Sequence, residues 1–434
     1  MSLLNKKRQL AAAVGTEGLF TGGSIVAANA AFALTEGSAG NFEVGRVNRN
    51  RNRETLGRVA SLVTTQIGVF RFSTELKGSG VGGTAPTWGV LLRACGFSET
   101  VQAGAAVIGA AVADPRNFAQ ANVPTMGGTF VGPRNGILGL TIIALVTDTS
   151  IQVNAEFFPD DGSANYEQED AIQSVAGATA LAGTQLTGVT FDFGDPSTST
   201  TGFQVGDRYY VGLTSDQSNQ VIYKPISASI PVLDMTFIED GRAKKLHSCR
   251  GTARFVAALD AVPVIEWEFR GVIEETLGVV AQALLTGIAY EDVVPSAFVG
   301  VASTLHGVEP ECYTNATVDL GNTLTPRLCS KNVKGVTSVR ITDRNVTGSI
   351  NPEAVLPATF NAHAKLLAGT IGNLSLQIGT VAGNKVTLAA TRLQIENVDD
   401  VDRDGLIVDA LEFGLNEPEF DAGDVYDEFT VTTS

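Results

Sequence analysis

Charge is scarce in this chain of 434 residues: Asp, Glu, Lys and Arg together make up 18% of it. Histidine is scarcer still, at three residues, His247, His306 and His363. They lie far apart with no HExxH, so a zinc-hydrolase helix is excluded and each reads as a surface or core residue. The four cysteines, Cys95, Cys249, Cys312 and Cys329, have no CxxC spacing. That excludes a disulfide framework and a Cys-ligated metal, and fits a reduced compartment. Long apolar runs are missing too. Val279–Ala289 is too short to span a bilayer. Lys6, Lys7 and Arg8 precede an apolar stretch, but Leu10–Val14 is too short for a secretory leader. The chain reads as soluble, without an export signal and without membrane insertion. Lysine is absent from residues 104–219.

Glycine is plentiful, at 47 residues, and 44% of the chain is hydrophobic. Few segments can hold a helical stripe at that glycine density, whereas short Val, Ile, Thr and Phe runs between Gly, Asn and Asp recur. The fold class expected is mainly β (α+β). The net charge of −16 is uneven: residues 1–103 carry +5 and residues 104–219 carry −9. High-affinity nucleic-acid binding is disfavoured by that balance. Sliding passage of nucleic acid is compatible with it, because retention comes from neutralising phosphates.

A duplication emerges along the chain. Val69–Leu76 alternates as a strand, a glycine-rich loop follows, and Pro86 opens a helix closed by Gly96. Trp88, Leu91 and Leu92 form its apolar face. Later, Thr347–Val355 is extended, Pro357 opens a helix with Phe360, Leu366 and Leu367 on its packing face, and Gly369 ends it. The strands that follow match as well. Leu233–Ile238, Lys244–Val256 and Val264–Val272 stand beside Leu374–Ile378, Lys385–Ile395 and Leu406–Leu415. Asp240-Gly241 and Gly383-Asn384 supply hairpin turns. The expected organisation is a first unit over 1–103 and 220–275, a connector over 276–310 and a second unit over 311–434. Strands at Gly139–Val146, Ile151–Phe157, Val189–Phe193 and Asp207–Leu213 predict a β-sandwich inserted over 104–219.

Several motifs carry the identification of a family. They are Glu75–Gly80 with Thr84–Phe97 (TAPTWGVLLRACGF), Arg250–Phe255, Trp267–Gly271, Ile341–Ser349, Gly379–Thr387 and Asp402–Leu406. Together they resemble the tail tube proteins (major tail proteins) of long-tailed bacteriophages, over most of 54–103 and 220–434. The resemblance implies two tandem tail-tube β-sandwich or barrel units, each with one helix, whose sheets join around a ring. One-unit members form hexamers, so a two-unit chain implies trimers with pseudo-sixfold symmetry; the hexamer is the alternative. It also implies stacked rings in a virion tail, assembled in the host bacterial cytoplasm, that conduct double-stranded DNA without binding it. The implied partners are further copies of the chain, the tape measure protein, and the distal tail and tail terminator proteins. No cofactor, metal or catalytic residue is implied.

On that reading, Glu266, Glu268, Asp409 and Glu412 on the closing strands are the candidate lumen-facing residues, with few Arg or Lys exposed around them. Gly45–Arg53, with Arg46, Arg49, Arg51 and Arg53, is the candidate ring-stacking segment, placed against the acidic stretch Glu417–Glu428; a solvated loop is the alternative. The insertion would decorate the outside.

Gly78–Gly83 fits G-x-G-x-x-G but lacks the following βαβ unit, so a flexible connection is the reading. Asp400–Gly405 resembles the start of a calcium loop, but its twelfth position is Leu411, so it reads as an acidic turn. His247, Ser248 and Cys249 are neighbours on a strand, which should point them to opposite faces. Two other functions compete: a virion decoration or adhesin protein that binds host glycans through the insertion, and a β-sandwich hydrolase, which has no catalytic constellation here.

Overall fold

The computed structural model describes residues 7–21, 26–35, 37–49, 59–102, 107–117, 123–130, 136–147, 150–159, 167–174, 178–183, 186–193, 204–214, 219–274, 278–417 and 428–434. The protein is mainly β and divides into two compact units. One comprises 1–100 with 221–433, the other 101–220.

In chain order the first unit opens with β1 (Arg8–Val14), β2 (Ala39–Val47), β3 (Leu62–Glu75), α1 (Gly89–Ala94) and β4 (Phe97–Gln102). The second unit holds β5 (Val107–Ile108), β6 (Val112–Ala113), β7 (Thr125–Gly128), β8 (Gly136–Thr147), β9 (Ser150–Pro159), β10 (Glu167–Ser174), β11 (Thr179–Ala180), β12 (Val189–Asp192) and β13 (Arg208–Thr214). Its sheet β10-β9-β8-β13-β5, with β6 beside β13, shares one core with the three-stranded sheet β11-β12-β7. Alternation builds that core: Leu138, Leu140 and Ile142 on β8 and Val153, Ala155 and Phe157 on β9 are fully buried.

The chain returns to the first unit with β14 (Gln220–Pro225), β15 (Leu233–Glu239), β16 (Arg242–Ala258), β17 (Val264–Ile273) and β18 (Val279–Ala281). It ends with β19 (Ala302–Leu305), β20 (Tyr313–Asp319), β21 (Thr323–Leu328), β22 (Val336–Asp343), β23 (Thr347–Pro352), α2 (Ala362–Ala368), β24 (Ile371–Ile378), β25 (Val386–Arg403), β26 (Leu406–Leu415) and β27 (Thr430–Thr433).

The pairing plan of this unit occurs twice. In the first set β3 pairs with β2 and β17, β16 with β17, β15 and β18, and β15 with β1. In the second set β23 pairs with β20 and β26, β25 with β26, β24 and β27, and β24 with β19. Every one of these pairs is antiparallel. A helix follows the strand in third place in each set. The sets join edge to edge through β16 and β20, from Arg254↔Asp319 to Ala258↔Asn315. The result is a continuous run, β2-β3-β17-β16-β20-β23-β26-β25. The Phe269 and Phe413 rungs each lay a phenylalanine ring over a cross-strand glycine, on the β16 side in the first set and on the β23 side in the second. A Cβ on Gly251 would come within 2.7 Å of the Phe269 ring, and one on Gly348 within 2.5 Å of the Phe413 ring. Only glycine admits that approach.

The structure corrects the sequence reading of the helices. Helix α1 begins at Gly89, because Pro86 closes a turn that accepts from the Gly89 amide at 2.9 Å. Helix α2 begins after Asn361, whose side chain accepts from the Ala364 amide at 2.8 Å, a regular N-cap. Pro357 belongs to a separate turn in which Leu356 accepts from Thr359 and Phe360. Gly369, at φ +59°, ends α2. The strand argument about His247 and Ser248 also needs correction. Strand β16 bulges between His247 and Arg250, with Ser248 at φ +52°. That brings Ser248 Oγ to 3.1 Å from His247 Nδ1. The hydroxyl accepts from the Gly18 amide at 2.7 Å, so it anchors the N-terminal segment.

Candidate assembly surface

The eight-strand run has two unlike faces, because side chains alternate along every strand. Phe70, Phe72, Phe255, Trp267, Phe269, Leu411 and Phe413 all point to one side, where they are buried in the main core with Trp88 and with Leu91 and Leu92 of α1. Trp88 Nε1 donates to the Lys77 carbonyl at 2.8 Å, and its ring lies 5.4 Å from that of Tyr223. The opposite face carries Arg71, Glu266, Glu268, Arg270, Arg254, Thr317, Ser349 and Glu412.

Basic groups on that polar face are paired. Glu268 accepts from Arg71 Nε and Arg270 Nε, each at 2.9 Å, and Glu266 lies 3.8 Å from Arg254. Partial burial pushes the Glu268 carboxyl up, but the Arg270 and Arg71 hydrogen bonds outweigh it and hold it below the ordinary range. The sequence reading looked for acids with few exposed bases around them. Instead Arg71 and Arg254 are about half exposed, at 52% and 49%. Their carboxylate partners account for this. The Glu-Trp-Glu-Phe-Arg alternation of 266–270 was the signal available for it.

Of the four acids singled out from the sequence, Glu266, Glu268 and Glu412 share this polar face. Asp409 does not. It has the strand parity of Leu411 and Phe413 and lies on the helix side, 9% exposed. A carboxylate there shares no surface with Glu412, since adjacent parities face opposite ways. Asp409 instead meets Asp400 and His363, with ligand atoms all within 4.8 Å of one another. His363 Nε2 is 3.2 Å from Asp400 Oδ1. Burial, then the Asp400 charge, pushes the Asp409 carboxyl up. This trio has the donor types of a divalent-cation site. In the equivalent rung of the first set stand Phe255 and Ile265.

The second helix covers less than the first. Phe360 and Leu366 are half-buried against the core, whereas Leu367 is 88% exposed and does not pack. Helix α2 packs through a narrow face, with Ala362 its one buried residue and Leu366 beside it, and Leu367 lies about 100° round from Leu366, off that face. Of the basic segment, Arg46 is exposed on β2 and Arg49 is half-buried, while Arg51 and Arg53 lie outside the described residues. Within the acidic stretch, Glu417 and Glu428 both pair with Arg344. Sequence reasoning missed Arg344; nothing in its spacing pointed to acids more than seventy residues away.

The glycine-rich motif is a packing loop. The Gly80 amide donates to the Gly383 carbonyl at 2.9 Å, and the Gly78 amide to Asn384 Oδ1 at 3.0 Å. The calcium-like motif is the β25–β26 hairpin, whose turn residues Asp404 and Gly405 have φ +54° and +87°.

The two ends of the run leave strand edge without a partner strand among the described residues. Strand β2 pairs only with β3, and the second half of β25, from Val398 to Arg403, pairs only with β26. No helix among the described residues is long and apolar enough to cross a membrane. No protein-family model matches the chain, and no curated protein matches it.

Proposed function

We propose that this chain is the tail tube subunit of a long-tailed bacteriophage, a structural virion protein whose rings stack into a DNA conduit. The observation that carries the reading is the repeated pairing plan, with its two sets already fused edge to edge at β16 and β20. One chain then fills two equivalent places, and three chains make a pseudo-sixfold ring. Three copies of the eight-strand run give a barrel of about 24 strands, with a backbone diameter of roughly 45–50 Å at ordinary strand tilt. Once side chains are subtracted, that bore still admits duplex DNA. The paired arginines of the polar face suit a lumen, because a guanidinium already held by a carboxylate gains little by exchanging it for phosphate. Arg46 and Arg49 at the end of β2 are retained as ring-stacking candidates. Further copies, the tape measure protein and the distal and terminator proteins of the tail are the proposed partners, in a tail assembled in the bacterial cytoplasm.

A second reading rests on the separate core of the 101–220 unit: a decoration or adhesin protein that uses this unit to bind host glycans. Negative-stain electron microscopy of the purified protein separates the two. The tube reading expects rings or stacked tubes with a central channel. Monomers or open fibres that bind carbohydrate, with no channel, would overturn it.

A further inference from the structure

The internal junction between the two sets specifies which edges of separate chains should meet, and in what register. Strand β16 has two halves. Its first half pairs with β15 from Met235↔Leu246 to Glu239↔Arg242, and on that same side its second half pairs with β20. Strand β25 is built alike, pairing with β24 over its first half. The place that β20 takes beside β16 is vacant beside β25 among the described residues. The strand equivalent to β20 is β2, and among the described residues its outer edge also has no partner strand.

We infer that the second half of β25 pairs antiparallel with β2 of a second copy of this chain, with Val401 opposite Ala39, Asp400 opposite Gly40 and Asp399 opposite Asn41. The register follows from shared rungs. Phe269 pairs with Phe70, which pairs with Gly40; Phe413 pairs with Gly348, which pairs with Val318. Val318 therefore occupies the place of Gly40. Four residues before each phenylalanine, Ile265 pairs with Phe255 and Asp409 pairs with Asp400. Asp400 therefore occupies the place of Phe255. Phe255 pairs with Val318, so Asp400 pairs with Gly40.

Charge decides against pairing of two β25 edges. Asp399, Asp400 and Asp402 crowd the β25 edge, so two β25 edges would oppose carboxylate to carboxylate. Head-to-tail contact between two different edges is heterologous, and such contacts close into rings when the rotation permits. In the single chain, the Gly40 carbonyl accepts from Lys244 Nζ at 2.6 Å. The inference rests on the ring reading for its closure, but the pairing can be tested separately.

The test is disulfide trapping in a chain whose Cys312 and Cys329 are replaced by serine. Ala39→Cys and Val401→Cys are placed together, or on two separate chains mixed one to one. Both positions are partly exposed, so folding should survive. Within one chain the two sites stand seven strand spacings apart, roughly 30 Å, too far for a disulfide. Mild oxidation should convert most of the doubly substituted protein to covalent oligomers ending at trimer. The mixture should give dimers only. The shifted pair Ala39→Cys with Asp399→Cys should cross-link at least tenfold more slowly. Equal or faster trapping by the shifted pair overturns the register. No trapping by the matched pair in particles that form rings overturns the junction while the ring reading stands. Matched trapping in open ladders, with no rings in the microscope, upholds the junction and overturns the ring.

Discussion

Trp88 and Leu367 were read alike in the sequence, each as part of a helical packing face, and they make opposite predictions. Trp88 is 2% exposed, hydrogen-bonded and packed at a tilt against Tyr223, so Trp88→Ala should cost about 3–5 kcal/mol in denaturant unfolding. Leu367 is 88% exposed, and Leu367→Ala should stay within about 0.5 kcal/mol. A loss above 2 kcal/mol for Leu367→Ala in the monomer would contradict the packing described for α2. Asp409 teaches a related lesson. Acidic character placed it on a solvent face, while its parity with Leu411 and Phe413 places it among core positions. Parity was legible in the sequence. What was not legible is that His363 and Asp400 would gather beside it, because that depends on how α2 lies on β25.

The elements were legible where one face of a strand is apolar and turns are marked by glycine. The hairpins β15–β16 and β24–β25 and the closing strands β17 and β26 all lie where their alternation pointed. Their partners were less legible, since pairing between β16 and β20 joins residues with no shared local pattern. The β21–β22 hairpin was missed as an element; its residues 323–343 have weak alternation. It is tied down by Glu17, far away in sequence. Ser338 Oγ donates to Glu17 Oε1 at 2.7 Å, and Arg327, Arg340 and Arg250 lie 3.5, 3.6 and 4.0 Å from the carboxylate. The Ser338 hydrogen bond, opposed by slight burial and helped by the three arginines, holds the Glu17 carboxyl below its ordinary value. A lowered carboxyl stabilises the fold above its unfolded value, near 4.5, and that stability is lost as pH falls through the lower folded value. Glu17→Gln should therefore reduce hydrogen-exchange protection of β21–β22 several-fold at pH 7 and leave β16 and β17 unchanged. The difference from wild type should shrink in acid, where the wild-type carboxyl is itself neutral. Equal protection at pH 7 would show that the hairpin is held by its own packing.

At the scale of the whole molecule, the proposed tube turns on how the polar face of the eight-strand run treats DNA. A net charge of −16 alone does not settle this, because the run carries arginines that a phosphate backbone could recruit. What restrains them is local: Glu268 holds Arg71 and Arg270, and Glu266 faces Arg254. Glu266→Gln together with Glu268→Gln keeps shape and hydrogen-bonding capacity but removes two negative charges per copy. Three arginines per chain then face the bore without carboxylate partners. Assembled wild-type particles should retain no DNA at physiological salt. The double variant should retain duplex DNA, with log affinity falling linearly against log salt concentration at a slope of about −0.9 for each phosphate neutralised. Melting curves of the unassembled protein give the control: these pairs are partly exposed, and their loss should lower stability by about 1 kcal/mol or less each. If assembled variant particles still ignore DNA at low salt, this face does not line the bore. The barrel would then have to present its other surface to the channel, which the buried aromatic core on that side forbids.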